Sequence, residues 1–167
     1  MRISDALLPE FDQESATTRK VLERCPEEKF GWRPHAKSYT MGELATHIAQ
    51  MPWWTVETLT RDELDFAPPG GEPYTAEVIA TSKELLERYD KNVAAAREAL
   101  AQAENDRMMG AWTLLAGGQK IFTLPRVAVI RSFVMNHNVH HRAQLGLYLR
   151  LNDLPVPQMY GPTADEP

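Results

Sequence analysis

Apolar residues recur every three or four positions along the stretch "MNHNVHHRAQLGLYLR" and the residues just before it. This spacing is that of one face of an α-helix, and it predicts a long helix with one buried side. Two histidines occupy the centre of that face in place of apolar residues. The positions on the face are Ile130, Val134, His137, His141, Leu145 and Tyr148. A fold for this chain must therefore bury this helix together with two imidazoles.

Two earlier segments also show helical spacing. The first runs from Ile3 to Arg24. The second begins after Thr40, which forms a capping box with Glu43 three residues later. We expect this second helix to continue to about Leu59, although Pro52 is able to end or kink it. Both segments indicate helices that pack against the histidine-bearing one.

The rest of the chain predicts one more helix and a hairpin. A helix is expected from about Thr75 to Glu104, where alanine and glutamate are abundant. Two short β-prone runs flank Gly117 and Gly118, a pair suited to a tight hairpin turn. Pro125 suits the first turn of the last helix. The predicted fold is all-α, a four-helix bundle with a small β-hairpin before the last long helix, and a three-helix variant stays open.

Length and composition limit the class of protein. The 167 residues predict a single domain spanning 1–167. A net charge of −5 with scattered basic residues argues against nucleic acid or an anionic membrane surface as partner. Cys25 is the single cysteine, so neither a disulfide framework nor a cysteine-based zinc site is expected. With no apolar run of membrane-spanning length, we expect a cytoplasmic protein.

The spacing of the histidines predicts where their rings point. His137 and His141 differ by about 40° around the helix axis and by one turn along it, so both project into the same space. His140 lies about 60° to the other side of His137, at the edge of the buried face, and is the alternative ligand in an i, i+3 pair. His47 lies on the apolar side of the second helix and is the best third ligand. His35, in a proline-rich loop, is expected to be structural or exposed.

Three histidines in a bundle core are a plausible site for one divalent metal ion. Imidazole ligands suit several metals, and three of them leave a position open for water or substrate. The competing interpretation is that these histidines make ordinary hydrogen bonds inside the protein, as buried polar groups must. The residues alone leave both open.

Four segments of this chain together resemble the DinB-like superfamily of metal-dependent helical-bundle proteins. They are "LLPEFDQESATTRKVLER", "GELATHIAQMP", "NHNVHHRAQLGLYLR" and the tail "LPVPQMYGPTADEP". The resemblance implies that one histidine on the second helix and two on the last long helix bind a divalent metal, zinc or nickel. The matching positions are His47, His137 and His141.

The resemblance also suggests a range of activities. Relatives include thiol S-transferases that use bacillithiol or mycothiol, and a thiol-dependent maleylpyruvate isomerase. A small thiol is therefore the expected cosubstrate, which would attack an electrophile, and hydrolysis of an ester or amide is the second reaction that such a metal supports. A non-catalytic metal-binding or metal-sensing bundle is the alternative to an enzyme, and no catalytic residue is assigned.

Several residues are candidates for supporting roles around the metal. Gln144 is placed to orient a bound water, and Arg142 to pair with an anionic cosubstrate or with a carboxylate on a neighbouring helix. Tyr148 and Trp54 each lie one heptad past a histidine and are candidates for the pocket wall, with core packing as the simpler interpretation. His140 belongs to the same set. Glu43 is a candidate partner of His47, but its capping role already explains it.

The sequence argues against several classes of enzyme and favours a homodimer. The residue after His137 is Asn138, so the His-Glu-x-x-His pattern of zinc proteases is absent. A glycine-rich phosphate loop and a serine nucleophile elbow are also absent. Trp53, Trp112 and Phe122 exceed what a small core readily hides, and we therefore expect a homodimer.

Overall fold

The computed structural model describes residues 1–72, 74 and 77–167, and most of them are helical. The helices are α1 (Ile3–Glu23), α2 (Met41–Gln50), α3 (Trp53–Thr60), α4 (Ser82–Gln102), α5 (Asn105–Met109), α6 (Arg126–Ala128) and α7 (His137–Leu151), with a 3₁₀ turn at Glu27–Lys29 and a π-helical segment at Val129–Asn136. The strands are β1 (Glu63–Asp65), β2 (Ala111–Ala116) and β3 (Gln119–Pro125). No helix in the described part of the chain is long and apolar enough to cross a membrane.

The second predicted helix begins as expected but is divided in two. The capping box is confirmed, because the Glu43 backbone N–H donates to the Thr40 hydroxyl at 3.1 Å and Thr40 N–H donates to the Glu43 carboxylate at 2.6 Å. Helix α2 then ends at Gln50, and α3 starts at Trp53. The expectation of one helix to Leu59 was therefore wrong, since Pro52 lacks the N–H that a continuous helix needs.

The third predicted helix is shorter than expected at its start. Its expected first residue, Thr75, lies outside the described residues, and the described positions 77–81 are not helical. Helix α4 begins after Thr81, whose hydroxyl accepts a hydrogen bond from Glu84 N–H at 3.2 Å. A threonine N-cap outweighs helix propensity in the preceding residues because it satisfies a backbone donor that the first turn leaves free.

The predicted hairpin is confirmed and belongs to a three-stranded sheet within the described residues. Strands β2 and β3 are antiparallel, and Gly117 and Gly118 between them have φ angles of +61° and +74°, as a tight two-residue turn requires. Strand β1 pairs in parallel with β2 and was not expected. The Asp65 carboxylate accepts hydrogen bonds from Gly117 N–H at 3.1 Å and Gly118 N–H at 2.7 Å, which ties β1 to the turn. The fold is therefore mainly helical rather than all-α.

The position of α2 relative to α7 determines the geometry of the site. Leu44 and Ile48 of α2 belong to the same buried cluster as Leu145 and Leu149 of α7, and all four are fully buried. Burying a side chain of this kind contributes about 1.5–3 kcal/mol, so this apolar contact holds the two helices at a fixed separation. His47 lies within this segment of α2, and His141 lies one turn before Leu145, so the contact brings the histidines together.

Candidate metal centre

Three histidines from two helices converge at one point. His47 comes from α2, His137 is the first residue of α7, and His141 follows one turn later. The ring centroid of His141 lies 4.6 Å from those of both His47 and His137, and the His47 and His137 centroids are 5.3 Å apart. One ligand atom from each residue lies within 4.8 Å of the others. The three side chains therefore form a group that could hold one metal ion.

Hydrogen bonds orient two of these rings. The Nδ1 atom of His137 lies 3.2 Å from the backbone oxygen of Phe133, and Nδ1 of His141 lies 2.8 Å from the side-chain oxygen of Gln144. Because a carbonyl oxygen can only accept, each Nδ1 carries the proton in this arrangement. The Nε2 lone pairs of His137 and His141 then face each other, 2.8 Å apart. A carbonyl acceptor behind each imidazole is the arrangement that orients metal-binding histidines.

The contact between the two Nε2 atoms tests whether a metal fits this site. Two lone pairs at 2.8 Å repel unless a cation or a proton lies between them. Burial lowers the pKa of both His137 and His141, which disfavours adding a proton to either ring. Burial, reinforced by the two neighbouring histidines, lowers the pKa of His47 to about 4. The group is therefore neutral near pH 7, and the three imidazoles could hold a divalent metal ion.

The π-helical segment accounts for the partner of His137. The backbone N–H of His137 bonds to the oxygen of Val134 instead of the oxygen four residues back. The oxygen four residues back belongs to Phe133, and it receives the His137 ring. The bond to Val134 spans three residues and is therefore a 3₁₀-type contact at the end of the π-helical segment. The irregularity at the end of this segment thus leaves a backbone acceptor facing a histidine of the cluster.

The other two histidines lie outside the group. His140 is exposed, and its Nε2 atom lies 3.0 Å from the Gln144 amide nitrogen. It contacts the site in two ways, through Gln144, whose oxygen faces His141, and directly, since the His140 and His141 ring centroids lie 4.9 Å apart. His35 is exposed in the loop before α2, where its Nδ1 atom accepts a hydrogen bond from Lys37 N–H at 3.1 Å.

Of the other residues that the sequence suggested for supporting roles, Arg142 and Glu43 have structural roles, whereas Gln144, Trp54 and Tyr148 lie beside the histidines. Arg142 is 1% exposed and faces α1, where it pairs with the Glu14 carboxylate at 2.6 Å, so it does not point at the histidines. Glu43 stays in the helix cap. Gln144 contacts His141 and thus orients a ring, where a role in orienting water was expected. Trp54 and Tyr148 each line an opening beside the cluster.

One opening is an apolar cavity of about 200 Å³ beside His47 and His137. It is lined by these two histidines and by Met51, Trp54, Phe66, Tyr74, Leu114 and Phe133. Helices α2 and α3, the sheet and the π-helical segment all contribute to the wall. Because Phe66 and Leu114 come from separate parts of the chain, only the tertiary fold shows that they reach the site. Phe133 could have been identified from the sequence, because it lies four residues before His137 on the same predicted helix.

The second opening is a polar groove beside His141. It is lined by Lys37, Ser38, Tyr39, His141, Gln144 and Tyr148. The Tyr148 hydroxyl donates to the backbone oxygen of Tyr39 at 3.2 Å, which connects α7 to the loop before α2. The histidine cluster therefore lies between an apolar cavity and a polar groove. Among the described residues, no fourth histidine, cysteine or carboxylate joins the group.

Comparison with known proteins gives a consistent assignment. The chain is 26% identical over 166 residues to the uncharacterized protein YrdA of Bacillus subtilis (strain 168), a match covering 97% of this chain and 90% of that protein. A DinB-like protein from Bacillus cereus ATCC 10987 superposes with a TM-score of 0.72 at 22% identity, covering 93% of this chain and 97% of that one.

A second solved structure, the DinB-like protein YjoA from Bacillus subtilis, superposes with a TM-score of 0.68 at 14% identity. It covers 92% of this chain and 97% of that one. At these identities the two structures show a shared fold. The model of the DinB family matches residues 2–167. The resemblance seen in the sequence is thus confirmed, and the chain belongs to the DinB family.

Proposed function

We propose that the protein is a divalent-metal-dependent enzyme of the thiol S-transferase type, with zinc or nickel held by His47, His137 and His141. The observation that carries the proposal is the convergence of three neutral imidazoles, two of which direct unprotonated nitrogens at the same point. A bound divalent ion would supply Lewis acidity, which lowers the pKa of a thiol or water and polarises a substrate oxygen.

The protein residues around the ion have distinct tasks. Gln144 and the Phe133 carbonyl hold the His141 and His137 rings with Nε2 unprotonated. The wall beside His137 presents mainly aromatic and apolar side chains to one side of the site. With three protein ligands in the group, a position is left for a reactant, as in catalytic rather than structural sites. This open position argues against a purely structural metal.

The reacting thiol must come from outside the protein. Cys25 is the single cysteine, and it is 1% exposed in the helical core. Burial raises the pKa of its thiol to about 12, so almost no thiolate forms near neutral pH. Its sulfur donates to the Val21 backbone oxygen and lies among buried apolar side chains that include Val21 and Leu22. A small thiol cosubstrate is therefore part of the proposal.

The two openings favour a reaction between two molecules. A polar thiol compound suits the groove beside His141, where Lys37 and Ser38 offer a cation and a hydroxyl. An apolar electrophile suits the cavity beside His47 and His137. A hydrolase needs only one substrate and water, so a second opening of different chemistry supports transfer over hydrolysis.

Turnover with a panel of thiols tests the proposal. Tag-free protein loaded with zinc or nickel would be mixed with low-molecular-weight thiols and a generic electrophile such as 1-chloro-2,4-dinitrobenzene. We expect metal-dependent conjugation that is lost in His47→Ala and kept in the matched control His35→Ala. Absence of metal-dependent conjugation with every thiol would count against the transferase assignment, and metal-dependent ester cleavage without thiol would replace it with hydrolysis.

A further inference from the structure

We infer that the cavity beside His47 and His137 binds an uncharged, single-ring portion of the substrate, so that the electrophile is an aromatic or similarly sized apolar compound. This inference rests on the proposed function for the identity of the reaction, but the binding itself depends only on the cavity. It defines a substrate class that the histidine cluster alone does not indicate.

The chemistry of the wall excludes charge. Every side chain that lines the cavity is aliphatic, aromatic or a histidine. None of the lining side chains carries a carboxylate, ammonium or guanidinium group. A carboxylate or ammonium group placed among these side chains would lose its hydration and gain no ion-pair partner. An uncharged apolar group would instead gain from leaving water.

The size of the cavity matches one ring. Its volume is about 200 Å³. An apolar cavity of about 150 Å³ in another protein stays dry and binds benzene, so the larger cavity here accommodates a ring with one or two small substituents. The walls also offer ring edges, since Trp54 and Phe133 meet edge to face with centroids 5.8 Å apart. Aromatic ligands make favourable contacts with rings in this orientation.

The fold builds the cavity from well-packed elements. Leu114 on β2 is 3% exposed and packs in a cluster with Trp112 and Val129. Met51, 2% exposed, lies where the chain turns from α2 into α3. Phe133 is braced from behind by Phe122 of β3, with ring centroids 5.5 Å apart. Because these supports are part of the buried structure, the cavity is formed before a ligand arrives.

Binding of small probes to the metal-free protein tests this inference. The chelator-treated protein would be titrated with 4-methylanisole, which is uncharged, and with 4-methylbenzoate, which has similar size and a negative charge. Ligand-observed NMR would report the two affinities. We expect 4-methylanisole to bind at least about tenfold more tightly, because the carboxylate finds no partner in the cavity.

Substitutions in the cavity wall test whether 4-methylanisole binds in this cavity. Leu114→Phe fills part of the cavity and Phe66→Ala removes part of its wall, so each is expected to weaken 4-methylanisole binding about fivefold or more. The matched control Ile121→Ala lies on the same sheet, is 51% exposed and does not line the cavity, and it should bind like the wild type. Circular dichroism would check the fold, and Phe66→Ala decides the question if Leu114→Phe does not fold.

The outcomes separate this inference from the proposed function. Equal binding of the two probes, no binding of 4-methylanisole, or binding unaffected by both wall variants would overturn the cavity assignment. Those results would leave metal binding by the histidines intact. Conversely, a protein that binds 4-methylanisole but no metal keeps the cavity assignment and loses the metal-dependent reaction.

Discussion

Replacing Gln144 by alanine should weaken metal binding without disturbing the fold. The Gln144 oxygen lies 2.8 Å from Nδ1 of His141 and holds that ring with Nε2 unprotonated. A hydrogen bond of this kind contributes about 1 kcal/mol, and without it the imidazole also divides between its two tautomers, only one of which directs Nε2 at the metal. Together, the lost hydrogen bond and the change of tautomer correspond to about a tenfold rise in the metal Kd. This is the lower end of the range typical when a hydrogen-bond partner of a metal-binding histidine is removed.

The assay is a competitive zinc titration of tag-free protein against a chromophoric chelator. Gln102→Ala is the matched control, because Gln102 is an exposed amide on α4 that bonds within its own helix to Glu98. Gln144→Glu keeps an acceptor next to His141, so its zinc affinity should equal or exceed that of the wild type. A Kd for Gln144→Ala within twofold of the wild-type value would refute the idea that this side chain orients His141.

Three further predictions concern stability. The free energy of unfolding of the metal-free protein should fall as pH is lowered from about 6.5 towards about 4. The reason is that the His47 pKa is lower in the folded than in the unfolded state, so unfolding takes up a proton in this range. Urea denaturation at several pH values should show that the free energy of unfolding depends less on pH in His47→Leu than in the wild type. Arg142→Leu should cost about 3 kcal/mol in urea denaturation because it leaves the Glu14 carboxylate without its buried partner, and a loss below about 1 kcal/mol would contradict this account. Thr40→Ala should cost about 1 kcal/mol through loss of the cap to Glu43, with zinc affinity unchanged by titration.

The histidine cluster was predictable because helix geometry converts sequence spacing into direction. His137 and His141 are one turn apart on an apolar face, and the apolar neighbours of His47 place it on the inner side of α2. The same arithmetic puts His140 at the edge, where the structure has it exposed. Arg142 lies about 100° around the helix from His141, and this rotation explains why it reaches α1 instead of the cluster.

The parts that were missed depend on contacts between distant segments. Strand β1 has three residues, too few for an alternating pattern, and it exists because β2 offers an edge for pairing. Phe66 and Leu114 join the cavity only once this sheet packs against the helices. The break at Pro52 was foreseen as an option, but the spacing did not show that α2 and α3 would each pack against α4. Local spacing carries no information about these contacts.

The central claim is that His47, His137 and His141 bind one divalent metal ion, and metal analysis tests it most directly. Tag-free wild-type protein, dialysed against excess zinc or nickel and then against buffer, would be measured by inductively coupled plasma mass spectrometry. The controls are His35→Ala and His140→Ala, which change exposed histidines outside the group. We predict one ion per chain in the wild type and both controls, and none in His47→Ala or in the pair His137→Ala with His141→Ala. Equal metal content in the wild type and these site variants would contradict the claim.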